Sequence, residues 1–155
     1  MKNLSNYKIR QAKVDEAEYL SDLALRSKAI WGYSKDFIIA CKPHIKVDRE
    51  YIETWPVKVL DKQDEIIGFY SLKIINGENR LDNLWIEPRY IRYGYGTILF
   101  KNAIDEAKKL EWDYFRLAGE PGAVPFYEKH GAKLVGEVQS RLKKDLFLPH
   151  MEIKF

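Results

Sequence analysis

The segment at residues 81–118 most constrains the fold, because it reads as strand, loop, helix and strand in direct succession. The stretch Leu81–Ile86, which is followed by Pro88, predicts a strand. Two glycines, Gly94 and Gly96, then precede a long stretch with apolar residues at helical spacing. A further strand pattern follows at Tyr114–Leu117. Two strands joined through a helix predict one parallel pair with a right-handed crossover.

Three strand patterns in a row precede the glycines. Val57–Leu60 and Ile66–Ile75 are joined by the short polar stretch 61–65, which predicts a β-hairpin. The pair Asn76-Gly77 is a strong turn signal and leads into the strand at Leu81–Ile86. Since strands that follow one another through short turns pair antiparallel, this part of the sheet is expected to be antiparallel.

The N-terminal third contains a short first strand and two helical patterns. Tyr7–Arg10 alternates apolar and polar residues, which predicts the strand. Asp15 and Glu18 have the spacing of a capping box, and they predict a helix over about residues 15–30 that ends at Gly32. The predicted buried stripe of this helix is Ala17, Leu20, Ala24, Ser27 and Trp31.

A second, shorter helix is predicted over Lys35–Cys41. Ser34 is its predicted N-cap, and Pro43 is expected to end it. Residues 44–56 show no pattern that assigns them to a helix or a strand.

The C-terminal part adds a short helix and two strands. Ala123–His130 predicts the helix, with Gly131 at the position of a left-handed cap. Lys133–Gln139 and Leu148–Phe155 predict the strands, and the last of them is expected to pair either within the chain or with a partner. The element order predicts a single mixed-sheet α/β or α+β domain over residues 1–155.

The composition limits the class of protein. No apolar run approaches the roughly 18–20 residues of a membrane span, and no signal-peptide pattern is visible. Cys41 is the single cysteine, and no Cys/His cluster has metal-ligand spacing. The net charge of +3, from 26 basic and 23 acidic residues, argues against a dedicated nucleic-acid binder. We therefore expect a cytoplasmic protein with no metal and with neither nucleic acid nor membrane as a partner.

The stretch Tyr93–Thr97, here called the glycine loop, has two interpretations. The first turn of a helix carries free N–H groups and the positive end of the helix dipole, and glycine allows an anion to approach them closely. The alternative is a tight strand-to-helix connection that binds nothing. A dinucleotide fingerprint would need a third glycine where the chain has Leu99, and no Gly-Lys-Ser/Thr of a nucleotide P-loop occurs.

The stretch Glu120–Ala132, taken together with the glycine loop, resembles a known family. Both segments are similar to those of the GNAT superfamily of N-acetyltransferases, which transfer an acetyl group from acetyl-CoA to an amine. Ile91 departs from the Arg or Gln that usually begins the family's pyrophosphate loop. The stretch Ser27–Tyr33 is similar to the Ser-Lys-Ala-x-Trp-Gly-Tyr pattern of one bacterial branch. The residues that match the family's two motifs are Gly94, Gly96, Ala123, Phe126, Tyr127, Gly131 and Ala132.

The resemblance implies a mixed, mostly antiparallel sheet of about seven strands flanked by about four helices. It also implies that the strand before the glycine loop and the strand after its helix splay apart, so that the pantetheine arm of acetyl-CoA inserts between them. The residues that the resemblance places against this co-substrate are Leu84, Trp85, Ile86, Arg92, Tyr93, Gly94, Tyr95, Gly96, Thr97, Glu120 and Tyr127.

The resemblance also suggests catalytic roles. Tyr127 is expected to give a proton to the departing thiolate, although a packing role is the alternative. The acceptor amine must lose a proton before it attacks, and Glu120 and Asp82 are preferred as its base over Glu87. A water chain without a dedicated base is a further alternative.

The end of the first helix is expected to lie on the acceptor side. Lys28, Trp31 and Tyr33 form either a wall of the acceptor pocket or ordinary core packing. The acceptor is expected to be a small-molecule amine that attacks within a ternary complex, and a homodimer is possible. Two alternatives are a catalytically weak CoA-binding sensor or interaction module and a peptide N-terminal acetyltransferase.

Overall fold

A computed structural model describes residues 6–140 and 142–155. Its seven strands form one sheet in the order β1-β2-β3-β4-β5-β7-β6, and β4 and β5 are the parallel pair among otherwise antiparallel neighbours. The strands are β1 (Lys8–Gln11), β2 (Val57–Lys62), β3 (Glu65–Ile75), β4 (Glu78–Ile86), β5 (Tyr114–Ala118), β6 (Lys133–Gln139) and β7 (Phe147–Lys154). The predicted mixed, mostly antiparallel sheet is confirmed, and its last strand pairs within the chain.

Five α-helices flank the sheet, where about four were expected. They are α1 (Ala17–Ala29), α2 (Lys35–Ile45), α3 (Arg49–Thr54), α4 (Tyr95–Lys109) and α5 (Val124–Lys129). Buried residues of α4 and α5 pack on one face around Tyr70 and Phe115. Buried residues of α1 and α3 pack on the other face around Val57 and Phe69. The sheet therefore lies between two apolar layers, and this packing holds the ends of its strands in place.

β4 and β5 adjoin at one end only. Arg80 of β4 stands opposite Arg116 of β5, and no described residue further along β4 pairs with β5. The register between β3 and β4 shifts at Asp82, which is the extra residue of a β-bulge. Because a bulge bends and twists its strand, it helps β4 to diverge from β5. The expected splay between these two strands is present.

The start of α1 differs from the prediction. A 3-10 turn, Val14–Glu16, leads into α1, and the capping box of that turn uses Lys13 and Glu16 rather than Asp15 and Glu18. The Glu16 carboxylate accepts a hydrogen bond from the Lys13 backbone N–H at 2.8 Å. The guanidinium of Arg10 donates two further hydrogen bonds to Glu16, at 2.9 and 2.8 Å. This contact with the neighbouring strand selects Glu16 as the capping carboxylate, which a local spacing rule could not detect.

The buried stripe of α1 is also shorter than predicted. Leu20, Ala24 and Ser27 are buried, but Trp31 is 41% exposed. The reason is that α1 ends at Ala29, and the chain then turns through Gly32 at φ +89°. Trp31 therefore no longer follows the helical periodicity.

Pro43 does not end α2, which continues to Ile45. Proline inside a helix removes one hydrogen bond, here to the carbonyl of Ile39. Ile39 is 69% exposed, so water can reach that turn of the helix. The unassigned stretch 44–56 contains the end of α2 and the whole of α3, whose N-cap Asp48 accepts a hydrogen bond from the Tyr51 backbone N–H at 2.8 Å.

Gly68 of β3 packs closely against the end of β4, where β4 diverges from β5. A Cβ at this position would lie 2.6 Å from the backbone oxygen of Trp85 and 2.8 Å from Ile86 Cδ1. We expect Gly68→Ala to lower the free energy of unfolding by about 1–3 kcal/mol, since the backbone must shift to admit the methyl group. Urea denaturation measures this loss. Gly136→Ala is the matched control, because nothing lies within 4 Å of its Cβ position. Equal stability of the two variants would contradict the predicted clash.

Candidate active site

Two cavities meet where β4 and β5 diverge. The larger, here called the cleft, has a volume of about 560 Å³ and runs between the two strands to the start of α4. The smaller, here called the side pocket, has a volume of about 190 Å³. Both are bordered by Asp82, Trp85, Ala118 and Glu120. A molecule that fills the cleft would therefore meet one that fills the side pocket at these four residues.

The glycine loop closes one end of the cleft. Gly94, at φ +91°, is the N-cap residue of α4, and Arg92 also has a positive φ of 71°. Gly96 lies in the first turn, where a Cβ would be 3.4 Å from the Phe126 ring. Arg92, Gly94, Gly96 and Thr97 all line the cleft. The free N–H groups and the helix dipole at this end suit an anionic group such as a phosphate.

Aromatic and charged contacts anchor this loop to the sheet. The Tyr90 hydroxyl donates to Glu65 Oε2 at 2.7 Å, and Arg89 forms an ion pair with the same carboxylate. Tyr95 is 2% exposed, and its hydroxyl accepts a hydrogen bond from Lys62 Nζ at 3.0 Å. Tyr95 therefore points into the core, and neither it nor Tyr93 lines the cleft. If these two residues contribute to binding, they do so through their backbone.

Tyr127 of α5 lines the cleft. The residue is 8% exposed, and its ring lies against Gly119, where a Cβ would be 3.1 Å away. Its hydroxyl makes no hydrogen bond with any described residue. Burial and, to a lesser extent, the negative charge of Glu120 raise the pKa of Tyr127 above its ordinary value. The phenol is therefore neutral and able to donate at physiological pH.

Two side chains hold Glu120, one from the last turn of α1 and one from the residues that follow this helix. Lys28 Nζ forms an ion pair with Glu120 Oε1, and the Tyr33 hydroxyl donates to Glu120 Oε2 at 2.5 Å. Lys28 and Glu120 are 7% and 8% exposed. Burial and the hydrogen bond to Glu120 raise the pKa of Tyr33, so it stays a donor. Both carboxylate oxygens are thus engaged, and they tie the end of α1 to the end of β5.

Asp82 belongs to a second hydrogen-bonded chain. The Tyr51 hydroxyl donates to Asp82 Oδ2 at 2.5 Å and lies 2.9 Å from Ser71 Oγ. Asn83 Nδ2 donates to the same Ser71 oxygen at 2.9 Å, and Trp85 Nε1 donates to Asn83 Oδ1 at 2.8 Å. Burial and the neighbouring Asp82 raise the pKa of Tyr51, so its phenol is neutral. This series of hydrogen bonds fixes the Trp85 ring, which borders both cavities.

The structure brings most of the predicted residues together. Lys28 lines the side pocket, and Tyr33 reaches the site only through Glu120. Glu87 lies outside both cavities, where Arg26 donates to it at 2.9 and 2.7 Å. The predicted residues that line the cleft are Trp31, Asp82, Leu84, Trp85, Ile86, Arg92, Gly94, Gly96, Thr97, Glu120 and Tyr127.

Trp31 borders the cleft rather than the side pocket. Its ring packs on Gly122, where a Cβ would lie 2.5 Å from Trp31 Cζ3. Sequence reasoning missed Tyr51, because the stretch around it was unassigned. Asp48, a preferred N-cap residue type, is the local signal that could have located this helix.

The described residues contain neither a metal-binding cluster nor a helix that could span a membrane. Across residues 6–140 and 142–155, no group of three or more His, Cys, Asp or Glu side chains is placed to hold a metal ion. None of the helices in this part of the chain has the length and apolar character needed to cross a bilayer.

Comparison with known proteins gives a family match and several similar structures. The model of the acetyltransferase (GNAT) family matches residues 23–132. The PaiA N-acetyltransferase of Thermoplasma acidophilum, in complex with coenzyme A, is 22% identical with a TM-score of 0.79, over 96% of this chain and 99% of that one. An Elizabethkingia anophelis GNAT acetyltransferase with acetyl-CoA bound is 17% identical with a TM-score of 0.69, over 97% and 99%. No curated protein matches the sequence.

Proposed function

Because this chain belongs to the GNAT acetyltransferase family, we propose that it transfers the acetyl group of acetyl-CoA to the amine of a small molecule, by direct attack in a ternary complex. We further propose that residues 1–155 form one acetyltransferase domain. The observation that carries the proposal is the cleft between β4 and β5, which joins the glycine loop at one end to the side pocket at the other.

The residues of the cleft fit acetyl-CoA. The loop at Gly94 and Gly96 offers backbone N–H groups to the pyrophosphate at the start of a 15-residue helix. Among the residues that the structure describes, no strand pairs with the edge of β4 at Leu84–Ile86 on the side that faces β5, so this backbone can pair with the amides of the pantetheine arm. Acetyl-CoA supplies an acetyl group activated as a thioester.

Tyr127 is proposed to stabilise the departing sulfur. Its residue lines the cleft, and its neutral hydroxyl makes no hydrogen bond with any described residue, so it can donate to the developing thiolate. Because a phenol is a weaker acid than a thiol, with an ordinary pKa of about 10 against about 8.5, the hydroxyl stabilises the developing thiolate by a hydrogen bond rather than by complete proton transfer. A backbone N–H near Ile86 is proposed to stabilise the oxyanion of the tetrahedral intermediate.

Asp82 is proposed as the group that takes the proton from the acceptor amine. It borders both cavities, and its Oδ2 accepts one hydrogen bond from Tyr51. Glu120 occupies the same junction, but Lys28 and Tyr33 engage both of its oxygens. We therefore assign proton acceptance to Asp82 and a positioning role to Glu120.

The size of the side pocket favours a small acceptor. A volume of about 190 Å³ has room for a compact amine. A peptide N-terminus and a binding function without turnover are the competing interpretations. Acetyl-CoA consumption measured over a panel of amines and short peptides separates them. Turnover on free amines supports the proposal, turnover confined to peptides replaces it, and binding without turnover overturns it.

Acetyl-CoA and CoA are expected to stabilise the protein in a thermal-shift titration, and ATP is expected to have little effect. A ligand present at about 100 times its dissociation constant stabilises a fold by roughly 2.7 kcal/mol. Gly94→Val should weaken this shift, because the new side chain strains the loop that lines the cleft.

Gly32→Val is the matched control for that experiment. Gly32 has nearly the same φ, +89° against +91°, but it does not line the cleft. Both variants are expected to lose stability, and only Gly94→Val is expected to lose the response to acetyl-CoA. An equal response in the two variants would show that the glycine loop does not bind the cofactor. A cytoplasmic location, a bacterial origin and a homodimer stay predictions.

A further inference from the structure

The charges around the side pocket are unevenly satisfied. Four lining residues carry formal charge at neutral pH, and two of them, Lys28 and Glu120, neutralise each other in a buried ion pair. Asp82 is left at the inner end, where the cleft and the side pocket meet. Lys46 is the remaining charged residue, and it lines the side pocket beside His44.

Lys46 and His44 have no protein partner within the described ranges. Neither side chain forms an ion pair or a hydrogen bond with any residue of 6–140 or 142–155. Both are exposed, and both come from the last turn of α2 and the residue that follows it. The side pocket therefore presents one carboxylate at its inner end and a cationic and polar pair elsewhere on its wall.

We propose that the acceptor is an amine that also carries an anionic group, such as the carboxylate of an amino acid. This inference rests on the proposed function of the same site. The ammonium of such a molecule is attracted to Asp82, and its carboxylate is attracted to Lys46 and accepts a hydrogen bond from His44. A diamine or polyamine is disfavoured, because its second cation would meet Lys46 while the charge of Glu120 is already neutralised by Lys28.

Matched pairs of acceptors test this inference. Each pair consists of an amino acid and the amine that lacks its carboxylate: leucine with isoamylamine, lysine with cadaverine, and γ-aminobutyrate with propylamine. The set varies the spacing between amine and carboxylate. We expect kcat/KM to be higher by about 10-fold or more for at least one carboxylate-bearing member. The gain should appear mainly as a lower KM, because a charge-assisted hydrogen bond strengthens binding by about that factor.

Lys46→Gln should remove most of the preference by lowering kcat/KM of the carboxylate-bearing member. With cadaverine kcat/KM should rise instead, because its second cation no longer meets Lys46. Lys42→Gln is the matched control, since Lys42 is an exposed lysine of α2 that lines neither cavity. Equal or better use of the plain amines would overturn the inference. An unchanged preference in Lys46→Gln would overturn it as well, because the two basic residues would then serve only to complement the negative end of α2.

A binding measurement separates this inference from the proposed function. Calorimetric titration of each acceptor into the protein saturated with CoA reports acceptor preference without turnover. Preferential binding of amino acids with no acetyl transfer would sustain the inference and refute the proposed activity. Turnover of plain amines alone, with no preferential binding of amino acids, would sustain the activity and refute the inference.

Discussion

Tyr127→Phe is expected to lower kcat by about 10²- to 10⁴-fold, the range for loss of a positioned proton donor. The hydroxyl of Tyr127 faces the cleft and bonds to no described residue, so its removal breaks no internal contact. The ring packing on Gly119 and Phe100 is retained. The dissociation constant of acetyl-CoA and the free energy of unfolding should therefore change little. Steady-state kinetics with a calorimetric binding measurement tests all three quantities.

Tyr70→Phe is the matched control for this result. Tyr70 is also a buried tyrosine, but its hydroxyl donates to Asn102 Oδ1 at 2.6 Å and lines neither cavity. This variant should lose stability and keep kcat. If Tyr127→Phe keeps its kcat as well, Tyr127 is a packing residue and the sulfur is protonated by water.

The pH dependence of kcat provides a second check on Tyr127. Burial raises the pKa of its phenol above the ordinary value of 10.0. A group with a raised pKa keeps its proton as the pH rises through its ordinary value, so Tyr127 should contribute no loss of activity below about pH 10. A descending limb near neutral pH that disappears in Tyr127→Phe would contradict this expectation.

Lys28→Met is expected to lower the free energy of unfolding by about 3–5 kcal/mol, because it leaves a buried carboxylate without its cation. The ammonium of Lys28 and the carboxylate of Glu120 are both almost fully buried, with side-chain exposures of 9% and 8%. Adding Glu120→Gln to Lys28→Met should recover much of the loss, since the buried charge is then removed. The amide can still accept the hydrogen bond from Tyr33.

Urea denaturation of three variants measures this effect. Arg26→Met is the control on the same helix, because the Arg26 side chain, which pairs with Glu87, is 41% exposed. An exposed pair of this kind contributes only about 0–1 kcal/mol. A loss in Lys28→Met no larger than that in Arg26→Met would show that the Lys28–Glu120 pair does not hold α1 to the sheet. The double variant would then show no recovery.

The parts of the site that are formed by residues close together in the sequence could be predicted from the sequence. Gly94 and Gly96 stand between a strand and a helix, and the positive φ of Gly94 is the reason that only glycine fits easily at that N-cap. Tyr127 was located by its motif on a short helix, α5, and Gly131 follows the end of that helix in the predicted left-handed conformation. Such features depend on neighbouring residues, so a single sequence displays them.

Helix ends were predicted less well, and the reasons are physical. Ser34 caps α2 through the Phe37 backbone N–H as predicted, because an N-cap is a local hydrogen bond. The cap of α1 was assigned to Asp15, but Arg10 of β1 holds Glu16 instead. Pro43 was expected to end a helix that continues past it. Contacts with other elements and access to water outweighed the local preference in these two places.

The sequence by itself determined the order of the strands and of the helices other than α3, the turn at the glycines and the position of Tyr127, because periodicity, caps and turns are set by residues close together in the chain. Only the tertiary structure decided which side chains share the site. Lys28 meets Glu120 across 92 positions, and Tyr51 meets Asp82 across 31. These pairs form because β4 and β5 diverge between two helical layers, and no local signal encodes that meeting.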